Sequence, residues 1–273
     1  MAIITVSRGT FVGGQALAEC LAERLGYRCL SREEVLQAAT AEYGVPVEKL
    51  VAAMDKPPSF WERLIGERTV YLNYVRAALC ERVRGGDVVF HGYVGHLLLG
   101  SISHVIRVRV IAETESRIEA AMRAHNLSRK DAIARINKID QDRARWTRFL
   151  YGVDWQDAAL YDAVLNLTRL GVDGACDIVA SMTRMEAFQP TAASLKAMED
   201  LALGSRVWAA LATDPHTEAP DLTVSADGGV VSITGSVWSS EVADAVPLVA
   251  RRVEGVRDVR AELTIAPLYT EPI

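Results

Sequence analysis

The stretch Thr5–Gly26, TVSRGTFVGGQALAECLAERLG, constrains the fold of this chain more than any other. The apolar run Ile3-Ile4-Thr5-Val6 predicts a strand, and Leu17, Cys20, Leu21 and Leu25 recur at helical spacing from Gly14 to Leu25, with Gly26 placed to stop the helix. Between them the loop Gly9, Thr10, Phe11, Val12, Gly13, Gly14 turns the chain. A strand that turns through glycines into an amphipathic helix gathers backbone N–H groups and the positive helix end at one point, which suits a phosphate. The full pattern G-x-x-x-x-G-K-[ST] adds a lysine for charge and a hydroxyl for magnesium. Here Gln15 and Ala16 stand in those places, so the backbone cradle is kept while its charge and its metal ligand are lost.

The remaining chain alternates strands and helices. A short strand is expected at Arg28–Leu30, then a helix from about Glu33 and a helical region running through PPSFWERLIGERTVYLNYVRAALCERV. GDVVFHG and HVIRVRVIA are apolar and β-branched enough for buried parallel strands. From Glu115 to Phe149 the sequence is helical and charged, with Ile133, Ile136 and Ile139 assigned to one face; YDAVLNL offers a last strand and VDGACDIVASMTRM a closing helix. This order specifies a parallel α/β sheet. Near residue 190 the grammar changes. AFQPTAAS reads as a linker, followed by a helix (about 195–211), a hairpin turning at Asp227-Gly228 with Val231 and Ile233 on one face, a second helix (about 239–253) and VRDVRAELTIA. That is a small α+β domain, in which Gly235 marks a bulge or a close backbone approach.

With 273 residues, half of them hydrophobic, the chain can bury a large core. Its net charge of -5 gives no general pull towards nucleic acid or anionic lipid. Cys20, Cys29, Cys80 and Cys176 form no C-x-x-C pair and read as reduced core residues rather than a zinc site or a disulfide framework. No basic segment leads into an apolar one at the start, and no run of about 18 apolar residues occurs. The expectation is a cytoplasmic protein. His91 and His96 read as hydrogen-bonded structural histidines, and the aromatics of FWERL and WTRFLYGVDW as packing rather than base-stacking groups.

The glycine loop, VVFHGYVGHLLL and INKIDQDRARWTRFLYGVDW with YDAVLNLTRLGVDGACDIV together resemble the cytidylate-kinase-like branch of the P-loop nucleoside monophosphate kinases, over roughly residues 1–185. VVSITGSVWSSEVADAVPLVARRVEGVRDVRAEL resembles a BON domain, an αββαβ module associated with membrane or macromolecular attachment. The implied organisation is a kinase-like domain over 1–187, a linker at 188–194 and a BON-like domain over 195–267. The resemblance also implies a helical region that binds the nucleoside monophosphate and an arginine-bearing lid. Where such kinases follow the third strand with an acid and G-R-D-x-G-T, this chain has His91, Gly92, Tyr93, Val94, Gly95 and His96. Asp140 and Arg143 keep the D-x-x-R spacing of the lid, with Arg145 and Arg148 nearby; on a helix such a pair also reads as a solvated ion pair of ~0.2–0.5 kcal/mol. The expected site is therefore Arg8, Gly9, Thr10, Gly13, Gly14, Gln15 and Ala16 for phosphate, and Asp140, Arg143, Arg145 and Arg148 for catalysis. ATP is the expected donor, and Mg²⁺ would lack its usual protein ligands. Two functions are compatible with this set: a phosphotransferase from ATP to a nucleoside monophosphate, or a nucleotide-sensing pseudokinase coupled to a BON module whose own partner includes a lipid surface among its candidates.

Overall fold

A computed structural model describes residues 2–55, 65–100, 102–217 and 221–266. The elements run β1 (Ile3–Arg8), α1 (Gly14–Leu25), β2 (Arg28–Ser31), α2 (Arg32–Tyr43), α3 (Val47–Asp55), α4 (Ile65–Val83), β3 (Val88–Gly92), α5 (Gly95–Leu98), β4 (Val105–Ile111), α6 (Thr114–His125) and α7 (Arg129–Tyr151). They continue with β5 (Ala163–Asn166), α8 (Leu167–Met182), α9 (Ala192–Thr213), β6 (Leu222–Asp227), β7 (Val230–Val237), α10 (Ser240–Arg251) and β8 (Asp258–Ile265). Of PPSFWERL, the residues Pro57–Leu64 lie outside the described ones, as does the base-stacking reading of Phe60 and Trp61.

Two compact units form. The first holds the sheet β2-β3-β1-β4-β5, parallel throughout, with β1 at its centre between β3 and β4. Ile4, Val6, Ile106, Val108 and Val110 enter a core with Leu17 and Leu21 of α1 and Cys176 and Val179 of α8. Buried strands were expected throughout, but β4 alternates: Arg107 and Arg109, in register with Thr5 and Ser7, take the opposite face because successive side chains of a strand point to opposite sides. In α7, Ile136 is buried, Ile133 is 37% exposed and Ile139 is partly buried. Each i+3 step turns about 60° back around a helix, so three such residues spread over a wide arc rather than one face.

The second unit gathers residues 36–53, α4, and everything from Leu195. Its sheet runs β6-β7-β8, with β7 antiparallel to β6 and parallel to β8. Val231 and Ile233 are fully buried with Val207, Leu211, Val246 and Val249. The hairpin turns on Gly228-Gly229, both at positive φ (57° and 90°), while Asp227 pairs with Val230 and closes the ladder, so the turn falls one residue later than expected. Helix α4 packs on α9 through Tyr74, which meets Trp208 edge-on at 5.6 Å and stacks on Tyr43 at 5.0 Å. Ion pairs Arg206–Glu81 (3.2 Å) and Arg84–Glu199 (3.3 Å) flank that contact. The expected linker at 188–194 runs straight into α9, and Ser194 Oγ shares a 2.8 Å hydrogen bond with His104 Nδ1. No helix among the described residues is long and apolar enough to cross a membrane.

Candidate functional site

A cavity of about 440 Å³ opens at the carboxyl end of β1, lined by Gly9 to Gln15 together with Arg32, Gly92, Tyr93, Ile139, Asp142 and Arg143. The loop reaches it through two left-handed residues, Phe11 (φ 60°) and Gly13 (φ 80°), the latter being the N-cap of α1. It is the left-handed backbone of Gly13 that calls for glycine there, since a Cβ would meet Leu167 only at an ordinary 3.4 Å. No side chain caps α1 and its first turn carries no acid, which leaves that turn's N–H groups for an anion.

The loop is clamped from outside. Phe11 packs into the apolar seam of α6 and α7 formed by Ile118, Ala121, Ala132 and Ile136, with His125 edge-on at 5.4 Å. Arg117 of α6 donates from Nε to the Thr10 carbonyl (3.0 Å) and from Nη2 to Asp140 (2.7 Å). Asp140, expected among the catalytic residues, is therefore the carboxylate that orients Arg117, and its side chain and that of Arg117 are 18% and 17% exposed.

The other expected residues separate. Gln15 donates to Glu19 at 2.9 Å along α1, and Ala16 is exposed. Arg8 ends β1 with its backbone opposite Val110. Arg143 borders the cavity, its guanidinium 4.7 Å from the Tyr93 ring, while the Tyr93 hydroxyl donates to the Arg143 carbonyl at 2.7 Å. Arg148 pairs with Asp154 at 2.9 Å beside a separate cleft, and Arg145 is exposed. At about 100° per residue, positions two and five beyond Arg143 point away from it. Charge spacing along a sequence does not make a cluster in space.

Arg32, Tyr93, Asp142 and Arg117 were not anticipated. Arg32 follows β2 directly, and ligands of open α/β sheets gather outside the carboxyl ends of strands, so its position was a usable signal. Tyr93 occupies the place where the family pattern has arginine, and gives up that charge to support Arg143 from below. Its carbonyl accepts from Ser7 Oγ at 3.2 Å, and its ring contacts Trp146 and Trp155, which are buried packing residues.

Beneath the site, Arg109 lies over Trp155 (4.8 Å) and Tyr161 (5.9 Å) and donates to the Gln156 carbonyl at 2.6 Å. His96 packs on Tyr161 at 4.6 Å. Burial, then Arg107 and Arg109, push its pKa down to about 3, so it is neutral at ordinary pH. Neither of its ring nitrogens has a partner, which corrects the expectation of a hydrogen-bonded histidine: packing alone holds the ring. Among the described residues no group of three His, Cys, Asp or Glu side chains could hold a metal.

A sequence profile of the Cytidylate kinase-like family matches residues 3–169. The chain belongs to that family. A profile of the BON domain matches residues 199–267. Among curated relatives, the cytidylate kinase of Halobacterium salinarum is 22% identical over 197 residues, covering 68% of this chain and 91% of that protein. The cytidylate kinase of Methanothrix thermoacetophila is 24% identical over 183 residues, covering 67% and 98%. A crystal structure of an uncharacterized protein from Eubacterium ventriosum superposes with a TM-score of 0.51 at 21% identity, covering 67% of this chain and 97% of that one. The five-stranded parallel sheet with its flanking helices is the P-loop kinase fold, and the small second sheet belongs to a BON-like domain.

Proposed function

We propose that this protein is a nucleotide-binding phosphotransferase that moves the γ-phosphoryl group of ATP to a nucleoside monophosphate, with CMP as the acceptor suggested by the name cytidylate kinase that its relatives carry. One observation carries the reading: the glycine loop, the uncapped start of α1, Arg32 and Arg143 share one cavity. Phosphoryl transfer asks a protein chiefly for positioning and charge neutralisation. Backbone N–H groups of the loop would hold the donor phosphates, while Arg32 and Arg143 supply the charge that Gln15 does not. Tyr93 fixes the Arg143 backbone and supports its guanidinium, so that charge is placed before the substrate arrives. Asp142, a carboxylate on the same wall, is available to a Mg²⁺ carried in on the nucleotide.

The Gln15–Glu19 hydrogen bond favours a second reading, in which the protein binds nucleotide without turning it over. Calorimetry with ATP, CMP and their mixture, with and without Mg²⁺, run beside an assay for ADP and CDP, separates the two. Formation of CDP supports the kinase; tight, metal-independent binding without CDP supports the sensor. Absence of nucleotide binding removes both.

A further inference from the structure

Strand β8 (Asp258–Ile265) lies at the edge of the C-terminal sheet, and among the described residues β7 is its one strand partner. Successive side chains divide between its two faces. Val259 and Leu263 turn to the core under α9 and α10, whereas Ala261 and Ile265 on that same face stay exposed, so the helix layer leaves the outer margin of β8 uncovered. On the other face Asp258, Arg260, Glu262 and Thr264 are exposed. Asp258 pairs with Arg251 at 3.6 Å, while among the described residues neither Arg260 nor Glu262 forms an ion pair. The backbone alternates as well. Ala266 donates to the Val237 carbonyl at 2.8 Å, so the even-numbered residues of β8 turn their N–H and C=O groups to β7. Those of Val259, Ala261, Leu263 and Ile265 point away from the sheet; of these, the Val259 N–H is taken by the Asp258 carboxylate at 2.9 Å. Sheet edges are commonly blunted by proline, a bulge, shortness or charge. Strand β8 runs 8 residues without proline or glycine, so charge is the guard it has, and its charges are self-complementary.

We propose that β8 is a self-association edge, on which a second copy of this chain lays its own β8 antiparallel and joins the two C-terminal sheets into one. With the outward-pointing, odd-numbered residues as the hydrogen-bonded pairs, two registers align nearly the whole of both strands. One sets Glu262 opposite Glu262 of the second copy, and like charges there oppose it. The other centres on Ala261. It sets Arg260 opposite Glu262 of the second copy and Glu262 opposite its Arg260, both in the closer, non-hydrogen-bonded positions. The charges therefore select the register centred on Ala261. That register also brings Val259 opposite Leu263 of the second copy and Ala261 opposite Ala261, which carries the apolar face across the seam where α10 leaves it uncovered. A copy of the same strand is the occupant that fits, because the spacing of Arg260 and Glu262 is matched in sign by its own reverse. The contact is isologous: a two-fold axis at Ala261 closes it, and assembly stops at two.

The test is sedimentation velocity of the full chain from ~5 to ~200 µM, where a reversible monomer–dimer equilibrium is expected because one strand pairing is a small interface. Arg260→Glu should weaken the association about tenfold or more, since two carboxylates then face each other, and Glu262→Arg should do the same by opposing two guanidinium groups. The two changes together should restore it. Ala261→Pro removes an outward N–H that β7 does not use, so it should abolish the dimer and leave the thermal midpoint nearly unchanged. Hydrogen exchange at the high concentration should slow at Ala261 and Leu263 relative to the low one. A monomer across the whole range, a dimer indifferent to both single charge reversals, or a double reversal that fails to restore association would each overturn the proposal. None of these readouts depends on nucleotide binding.

Discussion

At the scale of single residues, the clamp Thr10–Arg117–Asp140 decides how firmly the phosphate loop is held. Arg117→Ala leaves Asp140 mostly buried without its cation and releases the Thr10 carbonyl, so a loss of ~1–3 kcal/mol is expected by chemical denaturation. Adding Asp140→Asn should cost little more, because the pair acts as one unit; fully additive losses in a double-mutant cycle would show that the two do not work through each other. The Gln15–Glu19 bond bears on affinity. Gln15→Lys alone places the new ammonium beside Glu19, whereas Gln15→Lys with Glu19→Gln frees it for phosphate and should tighten ATP binding about tenfold by calorimetry. His96 sets a pH dependence whose sign follows from its depressed pKa. Between the ordinary value of 6.5 and about 3 the unfolded chain binds a proton that the native state refuses, so this contribution is complete above 6.5 and is lost as pH falls through that window, at up to ~1.4 kcal/mol per pH unit. His96→Leu should flatten the stability profile there, and an unchanged slope would assign the acid sensitivity elsewhere.

At the scale of elements, β7 shows how one residue sets a strand pairing. Gly235 adopts φ 142° opposite Leu222, and a Cβ built on it would lie 2.2 Å from the Asp221 carbonyl oxygen. That is a close approach of two backbones, one of the two readings the sequence allows. Gly235→Ala must therefore push β6 off β7, and a loss above ~2 kcal/mol is expected in the melting of the C-terminal sheet. Helix α8 carries a similar mark, a kink at Gly171 (φ 68°, ψ 177°), which divides its first turn at Leu167 from the helix that covers the core.

At the scale of the molecule, the BON-like segment is more than an appended module. Tyr74 and Cys80 of α4 are buried, Trp208 covers Tyr74, and Arg206 and Arg84 tie α4 to α9 through Glu81 and Glu199. Removing residues 195–273 strips the partners of α4, so hydrogen exchange in Ile65–Val83 should speed by ~100-fold or more in the shortened chain while β1, β3 and β4 stay protected. Equal protection of α4 in the two chains would show that it is held without the C-terminal segment.

The sequence by itself determined the succession of strands and helices, the glycine loop and the hairpin, since these rest on local periodicity and on backbone conformations that few residues adopt. Helix α1 occupies the predicted span, Gly14–Leu25, because its apolar spacing and the stop at Gly26 are local signals. Tertiary structure alone decided that Asp140 turns to Arg117 and that Arg143 meets the cavity while Arg145 and Arg148 do not. It also joined α4 to α9 across the boundary that composition drew near residue 190. The reason is physical: a helix turns its side chains by about 100° per residue, so which of them reach a site depends on where the helix is packed, and that is fixed by partners distant in the chain.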